Sequence, residues 1–187
     1  MPNIRLENVT VKYKLKKKNY FIATDDVNVI FPDGKISAII GESGCGKTSI
    51  LRSVVGLIND YDGEIYFDNQ VIKKFAIQDR NVSYVSQMIG LYPNMNVFNN
   101  IAFPLKVSHC SEEEIRRRVK EVTDLLHISH CLTRKPKQLS IGQAQRVAIA
   151  RALVKRSIVY IFDEPFSNLD KELSRELTIE LKSIFSK

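Results

Sequence analysis

The sequence is poor in cysteine and has no long hydrophobic run. Its 187 residues include three cysteines, an odd number that does not fit a framework of disulfides. No apolar stretch is long enough to cross a bilayer as a helix, and the N-terminus lacks the basic-then-apolar pattern of a secretion signal. Internal repeats and low-complexity linkers are missing as well. These absences argue against a disulfide scaffold or a membrane-spanning protein, and they predict a globular domain in the cytoplasm.

The excess of positive charge does not by itself indicate a nucleic-acid partner. The formal net charge is +7, but the basic residues are spread along the chain. The densest run, residues 14–18, falls in a predicted loop between two strands, and no aromatic residues are interleaved with the charge as in nucleic-acid binding surfaces. We therefore expect no nucleic-acid partner.

A glycine-rich loop is the most informative feature. Residues 41–48 read Gly-Glu-Ser-Gly-Cys-Gly-Lys-Thr, which matches the pattern G-x-x-x-x-G-K-[ST]. The apolar run 35–40 before it predicts a strand, and residues 49–55 after it predict a helix. In that context the glycines allow successive backbone N–H groups to face an anion, and the helix adds its positive N-terminal end. The alternative is a simple glycine turn, which does not need Lys and Thr in register.

The side chains of this loop predict a nucleoside triphosphate with Mg²⁺ as the ligand. Lys47 has the reach and charge for the β- and γ-phosphates, and the hydroxyl of Thr48 is suited to Mg²⁺. Cys45 stands where a small side chain is needed, so we interpret it as a loop residue and not as a nucleophile.

An acidic pair follows a buried strand near the C-terminus. The apolar run 158–162 ends in Asp163 and Glu164. Asp163 is placed to hold Mg²⁺ through a water, and Glu164 to orient or deprotonate a water that attacks the γ-phosphate. The alternative for Glu164 is an exposed acid before Pro165.

The remaining pattern predicts an α/β protein with an antiparallel front. Strands are predicted at residues 3–13, 27–31, 64–67, 82–85 and 158–162, with a turn at residues 62–63. Helices are predicted from Ser111, with Glu114 completing a capping box, and over residues 140–154 and 172–185.

The start of the second predicted helix is a further candidate anion site. Ser140 and Gly142 stand where that helix begins, so its end offers N–H groups and a hydroxyl. Since the chain already has one phosphate loop, a second anion site points to the nucleotide of another copy packed head to tail. The alternative is an N-capped core helix.

Together these motifs resemble the nucleotide-binding subunit of ATP-binding cassette (ABC) transporters, from residue 4 to residue 187. In that family residues 41–48 correspond to the Walker A loop, 139–143 to the signature loop, and 167–170 to the D-loop. The resemblance implies that ATP and Mg²⁺ are the cofactors, with Glu164, Gln87 and Lys47 as catalytic residues and Thr48, Gln87 and Asp163 at the metal. The residues implied to bind nucleotide are Tyr13, Gly41, Ser43, Gly44, Cys45, Gly46, Lys47, Thr48, Ser49, Ser140, Gly142, Gln143 and Asp170. Tyr13 would stack on adenine, with Tyr20 as the alternative.

The resemblance also implies an architecture and partners. The fold would be a P-loop NTPase (RecA-like) with a mostly parallel core sheet, an N-terminal antiparallel lobe and an inserted helical subdomain. One domain would combine lobe and core at 1–88 and 146–187 with the insert at 89–145. A second ATPase subunit and transmembrane permease subunits would be the partners, so the protein would lie on the inner face of the cell membrane. Residues 91–97 and 100–105, together with 80–82, look most like the sugar-type importers, and the first two segments would contact the permease.

The chain departs from the family pattern at Ile141, at Ala144 (where an arginine or lysine is common), in a longer stretch 14–21, and after residue 187. Ile141 replaces the first glycine of the usual LSGGQ, although Ser140 and Gly142 are kept. The family usually continues with another core strand and a switch histidine, whereas no histidine here follows His130. We expect a missing C-terminal part of the core, either because the chain is cut or because the switch is lacking. The alternatives to a transport ATPase are a soluble ABC ATPase, a P-loop small-molecule kinase, and a fragment that binds ATP without turning it over.

Overall fold

The computed structural model describes residues 2–15, 19–167 and 169–185. The chain divides into two compact units, residues Met1–Val82 and Ser83–Lys187. Of the basic run predicted to form a hairpin loop, residues 16–18 lie outside the described residues. The division proposed above, with an insert at 89–145, stays a prediction.

The first unit is built on a four-stranded antiparallel sheet. Its strands are β1 Ile4–Lys14, β2 Tyr20–Phe31, β3 Tyr61–Phe67 and β4 Gln70–Val71, in the order β2-β1-β3-β4. Ile4 lies opposite Phe31 on one side and Phe67 on the other, so β1 is the central strand of this register. The three strands predicted in this region are confirmed, although β2 and β3 begin earlier than their hydrophobic runs.

The turn predicted at residues 62–63 is wrong, because Gly63 lies inside β3. The pairing of β1 with β3 shifts between Glu7 and Thr10, so that two residues of β1 face this one glycine. Gly63 has φ 80°, and a Cβ there would lie 2.3 Å from the carbonyl oxygen of Asn8. The glycine therefore serves a bulge and not a hairpin.

Helix α1, Lys47–Val55, follows the glycine-rich loop and completes the first unit. Its buried side chains include Ile50 and Val54, and the buried residues of the sheet include Leu6, Val11 and Ile65. Burial of this apolar face is what favours the helix, since nine residues alone would not be helical in water.

The strand predicted at residues 35–40 is wrong. The segment has no regular secondary structure, and Ile36, Ile39 and Ile40 are 60%, 37% and 93% exposed. A hydrophobic run becomes a strand only when neighbouring strands supply ladder hydrogen bonds. None of the described strands pairs with this segment.

The second unit is mainly helical. Its helices are α2 Val97–Val107, α3 Glu112–Leu125, α4 Ile141–Leu153 and α5 Lys171–Phe185. Strands β5 Val82–Val85, which starts on the last residue of the first unit, and β6 Val159–Phe162 form a two-stranded sheet. One apolar core joins the helices, with Ile101, Leu126 and Ile149 fully buried. The strands and helices predicted here are confirmed to within a few residues.

The start of α3 confirms half of the predicted capping box. The Ser111 side chain accepts a hydrogen bond from the backbone N–H of Glu114. The Glu114 carboxylate pairs with Arg117 and Arg118, one turn further on. Across the described part of the chain, no helix has the length and apolarity needed to cross a membrane.

Candidate nucleotide-binding site

The glycine-rich loop opens directly into α1 through a left-handed glycine. Gly44 has φ 83° and Gly46, at the N-cap of α1, has φ 94°. A Cβ on Gly46 would lie 2.3 Å from the carbonyl oxygen of Ala23 in β2, so only glycine fits this close approach. The N-cap residue is itself a glycine and has no side chain with which to cap the helix. The N–H groups of the first turn are therefore suited to an anion.

Lys47 folds back over the loop. Its Nζ donates hydrogen bonds to the carbonyl oxygens of Gly41 and Glu42, at 2.9 and 2.8 Å. Cys45 lies beside them, with its Sγ 4.0 Å from the lysine Nζ. This arrangement puts the positive charge of the ammonium group at the mouth of the loop.

Two residues predicted to bind nucleotide meet beside the loop. The Tyr13 hydroxyl, near the end of β1, is 3.1 Å from the hydroxyl of Ser49 in α1. Tyr13 is 38% exposed. Tyr20, the alternative, is exposed at the start of β2.

The other end of α1 is held by a residue that the sequence did not single out for this role. Arg80 is buried, and it donates to the carbonyl oxygens of Ser53 and Val54 at 2.9 and 3.2 Å and to Oδ1 of Asn59 at 2.9 Å. A Cβ on Gly56, the C-cap, would lie 2.7 Å from the guanidinium carbon. Burial lowers the pKa of Arg80. Its charge lies at the negative end of the helix, where a cation is favourable.

In the second unit, Asp163 and Glu164 directly follow β6. The backbone N–H of Asp163 donates to the carbonyl oxygen of Val85 at 2.9 Å, so β5 and β6 end side by side and run parallel. Asp163 is 3% exposed, and its Oδ2 accepts a hydrogen bond of 2.8 Å from the Tyr84 hydroxyl. Glu164 is exposed and has φ 47°. The strand thus ends in one buried and one exposed carboxylate.

Gln87 lies just after β5, in the same unit. It is exposed, in a bend where the Ser86 hydroxyl donates to the carbonyl oxygen of Met88 at 2.7 Å. Asp163 and Gln87 thus follow the C-terminal ends of two adjacent parallel strands, the edge where α/β sheets carry their ligands.

The start of α4 is a complete capping box. The Ser140 hydroxyl accepts from the backbone N–H of Gln143 at 3.2 Å, and Oε1 of Gln143 accepts from the backbone N–H of Ser140 at 3.1 Å. Gly142 is buried, and a Cβ there would lie 2.6 Å from Leu173 of α5. Ile141, the departure from the family pattern, is 61% exposed and adds its bulk to the surface.

Asp170 caps α5. Its Oδ1 accepts from the backbone N–H of Leu173 at 2.9 Å. Of the segment that resembles the D-loop, Asn168 lies outside the described residues. The aspartate therefore has a local role in the helix besides the one that the resemblance implies.

The donors predicted for the metal suit Mg²⁺ by their chemistry. Thr48, Gln87 and Asp163 offer a hydroxyl, an amide oxygen and a carboxylate, all hard oxygen ligands. Among the described residues there is no group of three or more His, Cys, Asp or Glu side chains suited to a metal ion. One hydroxyl, one amide oxygen and one carboxylate fit an ion that takes few protein ligands and keeps phosphate oxygens and waters.

The segment predicted to contact a permease is organised by one buried asparagine. The Asn100 side chain is fully buried; its Nδ2 donates to the carbonyl oxygens of Tyr92, Met95 and Asn96, each at 3.1 Å, and its Oδ1 accepts from the Tyr92 N–H at 2.8 Å. The loop before α2 is thereby fixed to the helix.

A cavity of about 200 Å³ lies beside this loop. It is lined by Ser83, Tyr84, Tyr92, Phe103, Pro104, Ala148, Arg151, Ala152 and Lys155. Burial lowers the pKa of both Arg151 and Lys155, and the Arg151 guanidinium lies 5.2 Å from the centre of the Tyr92 ring. The cavity lining therefore combines cationic and aromatic side chains.

A glycine loop entering a helix, with a carboxylate at the end of a parallel strand, defines the class of P-loop nucleotide-binding proteins. The ABC transporter family matches residues 24–167, and the chain belongs to this family.

Several relatives are import ATP-binding proteins. The chain is 41% identical over 184 residues to the sn-glycerol-3-phosphate import ATP-binding protein of Pectobacterium atrosepticum, covering 98% of this chain and 50% of the relative. It is 44% identical over 191 residues to the glucose import ATP-binding protein of Saccharolobus solfataricus, covering 98% and 53%. The chain thus spans about half the length of the curated relatives it matches.

Solved structures confirm the predicted fold of a P-loop NTPase cassette. The dimeric structure of a bacterial ABC transporter cassette superposes with a TM-score of 0.87 at 31% identity, covering 98% of this chain and 83% of that one. A post-hydrolysis state of the same cassette, bound to ADP and Pi, matches with the same TM-score and identity and covers 97% and 82%.

Proposed function

We propose that this chain is the ATP-binding and ATP-hydrolysing subunit of a transporter that imports a small solute such as a sugar or a polyol phosphate. The observation that carries the proposal is the junction at Gly46, where the glycine loop opens into α1 and Lys47 covers the loop mouth. The names of the relatives support import. The permease would hold the protein on the cytoplasmic face of the membrane.

In the proposed reaction, the loop and α1 hold the phosphates, and Lys47 exchanges one of its carbonyl contacts for the β- and γ-phosphate oxygens. Thr48, Asp163 and Gln87 would hold Mg²⁺, which would supply charge neutralisation for the phosphates. Glu164 would accept a proton from the water that attacks the γ-phosphorus, or orient that water, while the bond to the bridging oxygen breaks and ADP leaves. Tyr13 supplies the stacking face for adenine.

The second half of each site would come from another copy. Ser140 at the start of α4 still has a hydroxyl proton to donate, because its oxygen serves the capping box as an acceptor. In a head-to-tail dimer this hydroxyl, with Gly142 and Gln143, would contact the triphosphate held by the partner's loop. Closure of that dimer around two nucleotides would drive the permease.

The permease would dock on the loop that Asn100 organises. That loop is held in place before any partner binds, which lowers the entropy cost of association. The cavity beside it offers the cations Arg151 and Lys155 with aromatic walls, a chemistry suited to a helix that carries a carboxylate.

The nucleotide part of the proposal is tested by titration with a fluorescent ATP analogue in the presence of Mg²⁺. Lys47→Met removes the ammonium group from the loop, and we expect the affinity to fall by about 10-fold or more. Lys12→Met, which removes an exposed ion pair with Asp62 in the same unit, is the control and should bind as the wild type does. Equal affinity of the two variants would contradict a phosphate site at this loop.

A further inference from the structure

Tyr84 donates a hydrogen bond to the Asp163 carboxylate. Its hydroxyl lies 2.8 Å from Oδ2 of Asp163. Tyr84 belongs to β5, and Asp163 follows β6, the neighbouring strand. The two residues are 79 positions apart in the chain. The pairing of the two strands brings them together, so the contact cannot be predicted from a local sequence motif.

The hydrogen bond from Tyr84 to Asp163 is of a strong type. A neutral O–H that donates to an ionised carboxylate makes a shorter and stronger hydrogen bond than two neutral groups do. Asp163 is almost completely buried, and a buried carboxylate needs such donors because it has lost its water. The hydrogen bond also fixes the rotation of the carboxylate about its side-chain torsion, which an isolated aspartate would leave broad.

The phenol itself is held in place. Tyr84 lines the cavity that Tyr92 and Phe103 also line, and its strand neighbours Ser83 and Val85 are buried. The Ser83 hydroxyl is bonded to the carbonyl oxygen of Ala152 and to Ser157, at 2.9 and 2.8 Å. The strand that carries Tyr84 is therefore anchored at the residue before the tyrosine.

We propose that Tyr84 is a positioning residue that orients the Asp163 carboxylate toward Mg²⁺. Donors to the ligands of a metal commonly change its affinity by 10- to 100-fold when they are removed, because the ligand must then be ordered when the metal binds. The inference rests on the proposed function, in which Asp163 serves the Mg²⁺ of a bound nucleotide. It adds a residue that the family motifs around Gln87 and Asp163 do not include.

The test is the Mg²⁺ dependence of nucleotide binding by Tyr84→Phe, which keeps the ring and removes the hydroxyl. A fluorescent ATP analogue is titrated first without metal and then with increasing Mg²⁺. We expect the half-saturating Mg²⁺ concentration to rise by about 10-fold, while the affinity for the metal-free nucleotide stays at the wild-type value. The same shift is expected with Mn²⁺, read directly from its electron paramagnetic resonance signal.

Tyr92→Phe removes a phenol hydroxyl from the same cavity and is the control, with no expected change in Mg²⁺ dependence. Wild-type Mg²⁺ dependence in Tyr84→Phe would overturn the inference, and so would an equal loss of metal-free nucleotide affinity, which would mean a general structural role. If the wild type binds no nucleotide at all, the proposed function fails and this inference fails with it. If the wild type binds MgATP and Tyr84→Phe has the same Mg²⁺ dependence, only this inference fails.

Discussion

Gly46 combines a left-handed backbone with a close approach of β2. Gly46→Ala adds a methyl group 2.3 Å from the carbonyl oxygen of Ala23, where the backbone has to move. The left-handed conformation alone costs an alanine about 1–2 kcal/mol, so we expect a larger loss of unfolding free energy and about 10-fold weaker nucleotide binding. Urea unfolding and nucleotide titration check both.

The matched control for this substitution is Gly34→Ala. Gly34 also has a positive φ, of 63°, but a Cβ there meets no atom within 4 Å. It should lose only the conformational cost, about 1–2 kcal/mol, and bind nucleotide normally. Equal unfolding free energies for the two variants would show that the contact with Ala23 does not constrain the loop.

Contacts between residues that are close in the sequence were the most predictable part of the site. The cap at Ser111 was predicted because capping is decided within one helical turn, whereas an N-cap at Ser140 was only the alternative to an anion site, and Gln143 was not named as its capping partner. The contacts of Tyr84 and Arg80 were not predicted, since their partners lie 79 and 26–27 positions away and depend on strand pairing and helix packing. A buried arginine or a tyrosine in a strand has no sequence signal of its own.

At the scale of elements, α1 is stabilised at its C-terminus by Arg80. Arg80→Ala leaves the carbonyl groups of Ser53 and Val54 without their charged donor. Hydrogen bonds to charged groups contribute about 1.5–3 kcal/mol each, so we expect a loss of roughly 3 kcal/mol in unfolding free energy, together with weaker nucleotide binding because α1 carries the loop. Chemical denaturation and nucleotide titration measure the two effects.

Arg5→Ala provides the comparison in the same unit. Arg5 is half exposed, pairs with Glu7 and lies over the Tyr66 ring, so its removal should cost less than about 1 kcal/mol and leave nucleotide binding unchanged. If Arg80→Ala lost no more unfolding free energy than Arg5→Ala, the hydrogen bonds of Arg80 to the end of α1 would not contribute to stability. Arg80→Lys, which keeps a charge without the planar fork, should restore only part of the lost stability.

Helices were easier to predict than strands in this chain. The periodicity of α3, α4 and α5 is contained in each segment, and their caps lie beside it. The run 35–40 has the composition of a buried strand, but composition does not create a ladder partner, and the described segment is exposed and unpaired with any described strand. The sequence was equally insufficient at Gly63, because glycine is favoured both in a bulge and in a turn, and only the strand register distinguishes the two.

At the scale of the whole molecule, each proposed site is composite, so two defective variants should complement each other. The background is Glu164→Gln, which should retain bound ATP because the proposed general base is lost. In this background Lys47→Met should disable the loop. Ser140→Asp keeps the cap of α4, since aspartate is a good N-cap, but places a negative charge against the partner's triphosphate. Each variant alone should form no stable dimer with MgATP, as read by sedimentation.

Mixing the two variants in equal amounts should restore dimers that hold one nucleotide. Because neither variant forms a stable dimer with itself, equal amounts can pair wholly as mixed dimers, and each mixed pair has one site with an intact Lys47 facing an intact Ser140. Retained ATP should therefore approach about half of the level in the parent protein. Ser111→Asp, the same substitution at the cap of α3, should behave as the parent, since that cap is not part of the proposed site. Retention by Ser140→Asp alone, or none in the mixture, would mean that each copy encloses its nucleotide without the other.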